Sequence, residues 1–405
     1  MILVLFAFGA MIAGEALADD WYSRLWGYRK MITVQAGQVI GGPHTNFPML
    51  VSISSDADLA ANAQPDFDDI LFATSDGTMK LDHEIESFDS GTGALIAWVR
   101  IPAPGINNGT VIYMYYGNSS VGSQQNITGT WNSNYKGVWH LKEEQGGTGT
   151  SNVYLDSTIN NNDGDDYISA TGRTGKINNG KEFDGVDDYV SIPDDSTLDI
   201  EGSLTISLWI YPNEIVAWVR DGLLTKRESN TGYRIGLDDE GWCDVPAGDS
   251  IATIGFHYGT GGALYGACSN QGVIYPNEWA HIAVVNNNAD NSVVIYKNGT
   301  ALGTLDLITV MTGTNSRDLT VGSGFDTPFN GFIDEVRISD TNRSAGWIET
   351  SYNNQNNPTS SPYFLSFDAQ ELVTVPTITE LGMIIFMVLA GLGAIYYLRR
   401  RRATP

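Results

Sequence analysis

The residues in this 405-residue chain with the types and spacing to do chemistry are mainly carboxylates and carboxamides. The run DSTINNNDG sets Asp156, Asn160 and Asp163 in one short loop closed by Gly164. Calcium takes hard oxygen donors of this kind, about six to eight of them at roughly 2.3–2.6 Å. No Glu closes the loop where an EF-hand requires one. In GFIDEVRIS a period of two places Phe332, Asp334, Val336 and Ile338 on one face and Ile333, Glu335 and Arg337 on the other. Asp334 therefore stands in an apolar row, where a lone carboxylate must be neutralised, hydrogen-bonded or bound to a cation. The expectation is one calcium ion held by Asp156, Asn160 and Asp163 with Asp334 as a distal ligand. The alternative is an Asx-rich turn, with Asp334 hydrogen-bonded to backbone amides. Glu335 and Arg337 read as a surface ion pair.

Catalytic constellations are sparse. The histidines His44, His83, His140, His257 and His281 are scattered, with no HExxH pair and no GxSxG elbow. Glycosidase chemistry needs two carboxylates roughly 5–10 Å apart across one cleft. Asp334 and Glu335 are adjacent in a strand and so are expected on opposite faces. Glu84 and Glu86 of HEIESFD share a face but lie in a different part of the chain. Gly322-Ser323-Gly324 reads as a strand-end turn. A ligand platform is expected from Trp218, Trp242, Tyr258 and Tyr265, because sugar C–H faces stack on flat aromatic rings; the alternative is that these aromatics fill a core. Cys243 and Cys268 read as one disulfide or as two buried thiols.

The elements that carry these residues are strands. Gly (45), Tyr (19) and Trp (10) are abundant and charged residues make up only 17%, a composition of β-rich exported proteins. Lys and Arg number 22 against 47 Asp and Glu, a formal charge of −25 that repels phosphate backbones and excludes nucleic acid as a natural partner. Alternating runs at Tyr28–Val34, Leu95–Ile101 and Val111–Tyr116 predict a small β-sandwich over residues 20–118. The polar stretch GNSSVGSQQNITG follows as a connector. A second unit over residues 131–367 carries LTISLWIY and a hairpin turning at Asn298-Gly299, the pair such turns favour. It shows no helix of convincing period. The expected fold is all-β, a small sandwich followed by a two-sheet antiparallel sandwich of a dozen or so strands.

Both ends are apolar. Met1–Ala18 reads as a signal peptide with a small-residue cleavage site. Leu381–Leu398 is long enough to cross a bilayer as a helix, and Arg399–Arg402 after it predict a cytoplasmic tail over 399–405, with the acidic body outside.

These runs also carry family resemblances. WGYRKMITV, DILFATSDGTMKLDHEIESFD and GTVIYMYYGN resemble domain of unknown function 2341, found on bacterial and archaeal surface proteins. GVWHLKE, DSTINNNDG, KEFDGVDDYVSI, LTISLWIYP, WAHIAVV, VVIYKNGT and GFIDEVRIS occur in the order seen in laminin-G-like, concanavalin A-like domains. That resemblance implies a jelly roll, commonly with a structural calcium and a role in carbohydrate or protein recognition. VPTITELG, in a linker over 368–380 and running into the helix, resembles the IPTL-CTERM sorting signal through Pro376, Thr377, Glu380 and Gly382, which implies an exosortase-type processing enzyme as partner. The function expected is a non-catalytic envelope protein that binds a glycan or a surface protein. A structural matrix component and a glycoside hydrolase or lyase are the alternatives.

Overall fold

The computed structural model describes residues 21–215, 220–238, 251–259, 261–269, 273–306, 314–324, 327–356, 358, 363–373 and 378–402. The expected signal peptide, Trp218, Trp242, Cys243, Pro376 and Thr377 lie outside these. The first unit is built from β1 (Tyr28–Val34), β2 (Phe47–Ile53), helix α1 (Ala57–Asn62), β3 (Leu71–Thr74), β4 (Lys80–Leu81), β5 (His83–Asp89), β6 (Ala94–Ile101) and β7 (Val111–Tyr116). A helical turn, α2 (Ile127–Thr130), leads into β8 (Tyr135–Trp139), β9 (Thr150–Tyr154), β10 (Gly164–Tyr167), β11 (Lys181–Asp184), β12 (Tyr189–Ile192), β13 (Leu204–Pro212), β14 (Arg220–Glu228) and β15 (Thr231–Asp238). The second unit continues through β16 (Thr253–Gly259), β17 (Leu264–Cys268), β18 (Ala280–Asn287), β19 (Ser292–Lys297), β20 (Thr300–Asp306), β21 (Leu319–Val321), β22 (Thr327–Pro328) and β23 (Asn330–Ser339). Helix α3 (Ala345–Asn356), β24 (Leu365–Phe367), β25 (Glu371–Leu372) and helix α4 (Ile378–Arg402) close the chain.

The second unit is a jelly-roll sandwich. A nine-stranded sheet, in order β17-β16-β15-β14-β21-β12-β10-β9 with β22 beside β14, faces a seven-stranded sheet, in order β11-β23-β13-β18-β19-β20 with β8 beside β23. Alternation along the strands sends Ile206, Leu208 and Ile210 of β13 and Ile254 and Phe256 of β16 into one shared core. Each such side chain withdrawn from water contributes about 1.5–3 kcal/mol. The hairpin forms as read: β19 pairs with β20, and Asn298 and Gly299 take φ of 50° and 77°.

The first unit packs a sheet ordered β24-β1-β7-β3-β4 against the three strands β2-β6-β5. Its β1 is flanked on one side by β7 and on the other by β24 and β25, which come from the far end of the chain. The expected second unit therefore ends too late: residues 365–367 belong to the first sandwich, and residues 371–372 of the expected linker pair with β1. Helix α3, unanticipated from periodicity, fills the gap between the units. Its Ser344 hydroxyl caps the first turn by accepting from Trp347 N. Trp347 and Ile348 enter the first core. Asn354 accepts from Leu50 N at 2.7 Å and donates to Leu50 O at 3.0 Å. That side chain closes the edge of β2 as a neighbouring strand would.

Where the units meet, two strands break their alternation. In β23 Glu335 adopts φ 54°, and the register against β13 shifts between Trp209↔Asp334 and Ser207↔Arg337. This bulge inserts a residue and re-aims the side chains beyond it. Ile333, Val336 and Ile338 all enter the jelly-roll core. Asp334, Glu335 and Arg337 are buried on the other side, toward the first unit. The expected grouping of Asp334 with Val336 and Ile338 is thus corrected, as is the placement of Asp334 and Glu335 on opposite faces. The Glu335–Arg337 ion pair forms at 2.6 Å, in the interior and not at the surface.

Candidate functional site

The calcium set does not assemble. Asp156 is buried, and its two oxygens accept from Val138 N, Thr158 N, Thr158 Oγ1 and Asn162 N at 2.8–3.0 Å. Asp163 Oδ1 accepts from Asp156 N at 2.8 Å, and Asn160 turns its amide nitrogen onto Tyr135 O and Lys136 O. The loop brings Asp156 and Asp163 together, but as an Asx-rich turn that ties itself to β8. Asp334 lies elsewhere, its Oδ2 accepting from Ile177 N at 2.8 Å. Both oxygens of Asp156 and one each of Asp163 and Asp334 are taken by donors, and Asp156, Asp163 and Asp334 do not converge on one point, so the expected calcium set is not brought together in this arrangement. Among the described residues, two groups of three His or acidic side chains bring ligand atoms within 4.8 Å of one another: Asp184–Asp187–Asp188 and Glu86–His140–Glu335.

Within the described part of the aromatic set, Tyr258 is corrected. Tyr258 is buried, stacked between Phe256 and Tyr265 at ring separations of 6.0 and 5.7 Å. It belongs to the jelly-roll core, with Tyr265 packed against its rim. Burial pushes the Tyr258 hydroxyl up to about 12. Cys268 ends β17 and is not a free thiol; its expected partner Cys243 lies outside the described residues.

The two units meet around a buried charge cluster. Glu84 and Glu86 of β5 point from the first unit toward His140, just past β8, and toward Glu335 and Arg337 of β23. His140 Nδ1 donates to Glu335 Oε1 at 2.7 Å and lies 3.7 Å from Glu86 Oε2, while Nε2 lies 3.3 Å from Glu84 Oε2. Trp131 donates to Glu84 and Trp98 to Glu86 at 2.8 and 3.1 Å. The Arg337 guanidinium lies over the rings of both tryptophans, 4.1 and 4.8 Å from their centroids. Burial works against every charge here, yet Glu335 and Glu84 raise His140 well above its ordinary value. For Glu84 burial is the largest single influence, but His140, Lys142 and the Trp131 N–H together overcome it and hold the carboxyl at about 2. For Glu86 burial prevails and pushes the carboxyl up to about 7. The cluster is sealed by Leu50, Trp98, Trp131, Tyr135, Val138 and Ile177. The weak Glu84/Glu86 pair therefore shares a face as expected, but one closed by the jelly roll.

With the seven-stranded sheet turned onto the first unit, the jelly roll's other outer face is that of the nine-stranded sheet. In β12 Val190 and Ile192 point inward, so Tyr189 and Ser191 point outward. Tyr189 pairs with Tyr167 of β10, and the half-exposed rings stack at 4.6 Å and 6°. Beside them a cavity of about 380 Å³ is lined by Tyr189, Ser191, Arg317, Asp318, Thr320 and Ser323. Asp318 accepts from the Ser191 hydroxyl and from Asp194 N, each at 3.1 Å, one bond on each oxygen. The expected strand-end turn is present: Gly322 has φ 80°, and a Cβ there would meet Phe183 at 2.1 Å. This turn holds Ser323 at the rim and leaves the flank of Tyr189 open. Two aromatic faces beside hydroxyls and a carboxylate with spare lone pairs are what a sugar ring binds. Sequence reading missed this pair, although the alternation in KEFDGVDDYVSI places Tyr189 outward.

Comparison with known proteins bears out the two main resemblances. Residues 184–349 match the Concanavalin A-like lectin/glucanases superfamily, and residues 66–163 match the Domain of unknown function (DUF2341). The second match runs past the connector and takes in Glu84, Glu86 and His140 together. Neither reaches the sorting motif. No curated protein matches the chain. Among solved structures, a binding domain of Botulinum Neurotoxin DC in complex with SialylT is similar at 13% identity and TM-score 0.39, covering 55% of this chain and 52% of that one. The chain thus spans about half the length of that relative. Domain 4 of AbnA, a GH43 extracellular arabinanase from Geobacillus stearothermophilus, in complex with arabinotriose, is similar at 20% identity and TM-score 0.38, covering 53% of this chain and 96% of that one. At these scores, the ligands in those complexes say nothing about a ligand here.

Proposed function

We propose that this chain is a non-catalytic carbohydrate-binding protein of the cell envelope, and that its glycan site is the outer face of the nine-stranded sheet around Tyr167 and Tyr189. The observation that carries this reading is the stacked tyrosine pair beside Ser191, Asp318 and Thr320, in a domain that matches a lectin and glucanase superfamily. The net charge of −25 favours neutral glycans over polyanionic ones. Helix α4 supports anchoring, since Gly382–Arg400 is long and apolar enough to cross a membrane. Met1–Ala18 as an export signal, a Cys243–Cys268 disulfide and processing at Pro376–Gly382 by an exosortase-type enzyme complete the proposal. The full chain in detergent, screened against a panel of neutral and acidic polysaccharides, is expected to retain neutral ones and to release no reducing ends. Release of reducing ends would replace the reading with a hydrolase or lyase; retention of none would leave the structural-component alternative.

A further inference from the structure

The geometry points to a second site: we propose that Glu86, His140 and Glu335 bind one divalent transition-metal ion, of the zinc or manganese class, that staples the first sandwich to the jelly roll. Three ligand atoms converge within 4.8 Å of one another, one from β5 of the first unit and two from the second. All three side chains are more than nine-tenths buried. Among the described residues the cluster carries more carboxylates than cations: Glu84, Glu86, Asp334 and Glu335 stand with His140, Arg337 and Lys142, whose ammonium acts on Glu84 and Glu86 and donates at 3.3 Å to the backbone oxygen of Glu86. Two of the buried carboxylates also keep an oxygen with no hydrogen-bond partner, Oε1 of Glu86 and Oδ1 of Asp334. Buried carboxyl oxygens left without a donor, shut away from water and beside two further ligand atoms, are what a bound cation satisfies.

The donor set indicates which cation. One imidazole nitrogen with two carboxylate oxygens suits zinc and manganese, whereas calcium prefers an all-oxygen shell. Glu84, 3.3 Å from the far ring nitrogen of His140, and Trp98, donating to Glu86, are the outer partners that would fix the two ligands' orientation. The ion takes the position now held by the Nδ1 proton between His140 and Glu335, so binding releases that proton. A ligand drawn from each unit makes the ion's binding energy part of their docking.

The test uses the full chain in detergent, purified without chelator. Elemental analysis is expected to find about one equivalent of zinc or manganese per chain. Chelation should lower the melting temperature, and zinc or manganese, but not calcium, should restore it. Glu86→Gln, which keeps an oxygen for Trp98, is expected to lose the metal while retaining the strand content seen by circular dichroism. Metal-free protein whose melting temperature responds to neither chelator nor zinc and manganese overturns the proposal, and wild-type metal content decides the matter if the variant fails to fold.

Discussion

Single side chains in this protein are held by amides more than by ions, and Asp156 shows the consequence. Its carboxylate gathers four donors from β8 and its own loop. Asp156→Ala leaves buried N–H groups without acceptors and is expected to cost on the order of 3 kcal/mol, read as a lower denaturant midpoint. Adding calcium to the chelated wild type is expected to leave its melting temperature unchanged; an upward shift would contradict the amide-filled loop. Two other buried residues set the acid limit. Burial lowers His83 to about 4 and His281 to about 3. An unfolded histidine takes its proton near 6.5, so the unfolded chain binds protons that the folded one refuses. The stability these two rings contribute is therefore full above about 6.5 and falls as the pH drops toward 4, by about 3 kcal/mol for His83 alone. Glu86, whose carboxyl burial pushes up to about 7, gains stability over the same window, so the loss is read as a difference: in urea titrations from pH 7.5 to 4.5 the wild type should lose stability relative to His83→Gln, and a pH-independent difference would contradict the buried neutral ring.

At the scale of elements, the joints between the units are made by irregular pieces. The bulge at Glu335 and the register shift at Glu86 turn carboxylates into the seam, and α3 closes the edge of β2. Asn354→Ala removes both bonds to Leu50 and is expected to cost about 1–3 kcal/mol. Hydrogen exchange should then quicken along β2 first, and unchanged protection of Leu50 N would contradict the edge-closing role. The strands and the Asn298-Gly299 hairpin were legible because a period of two and a turn pair are local signals. Helix α3 was not: Trp347, Ile348 and Tyr352 make no apolar stripe, and its stability comes from two surfaces that meet only in the fold. The same limit misplaced Asp334, since one positive φ at Glu335 undoes strict alternation and no residue type announces it. Tyr258 went astray for a related reason: an aromatic in a Gly-rich run serves a core as readily as a ligand. Tyr189 was readable from its apolar neighbours, and only its partner Tyr167 required the sheet.

For the molecule as a whole, the two sandwiches are interlocked. The first core includes Trp347, Ile348, Phe364 and Leu365 from beyond the jelly roll, and Ala283, Val285 and Tyr296 from its seven-stranded sheet. Four large side chains at about 1.5–3 kcal/mol each approach the roughly 5–15 kcal/mol that keeps a domain folded. A chain ending at residue 343 is therefore expected to lose the first sandwich, and intact protein should melt in one calorimetric transition. Two separated transitions would contradict the interlock. Docking one face of the jelly roll so completely leaves recognition to the opposite sheet, where Tyr167 and Tyr189 stack. The central claim is met most directly by calorimetric titration of a polysaccharide retained by the wild type into the Tyr167→Ala/Tyr189→Ala chain. Affinity is predicted to fall at least about tenfold, equivalent to about 1.4 kcal/mol, with the melting temperature within about 2 °C of wild type, because half-exposed surface residues carry little stability. Unchanged affinity in the double variant would place the glycan elsewhere and contradict the account.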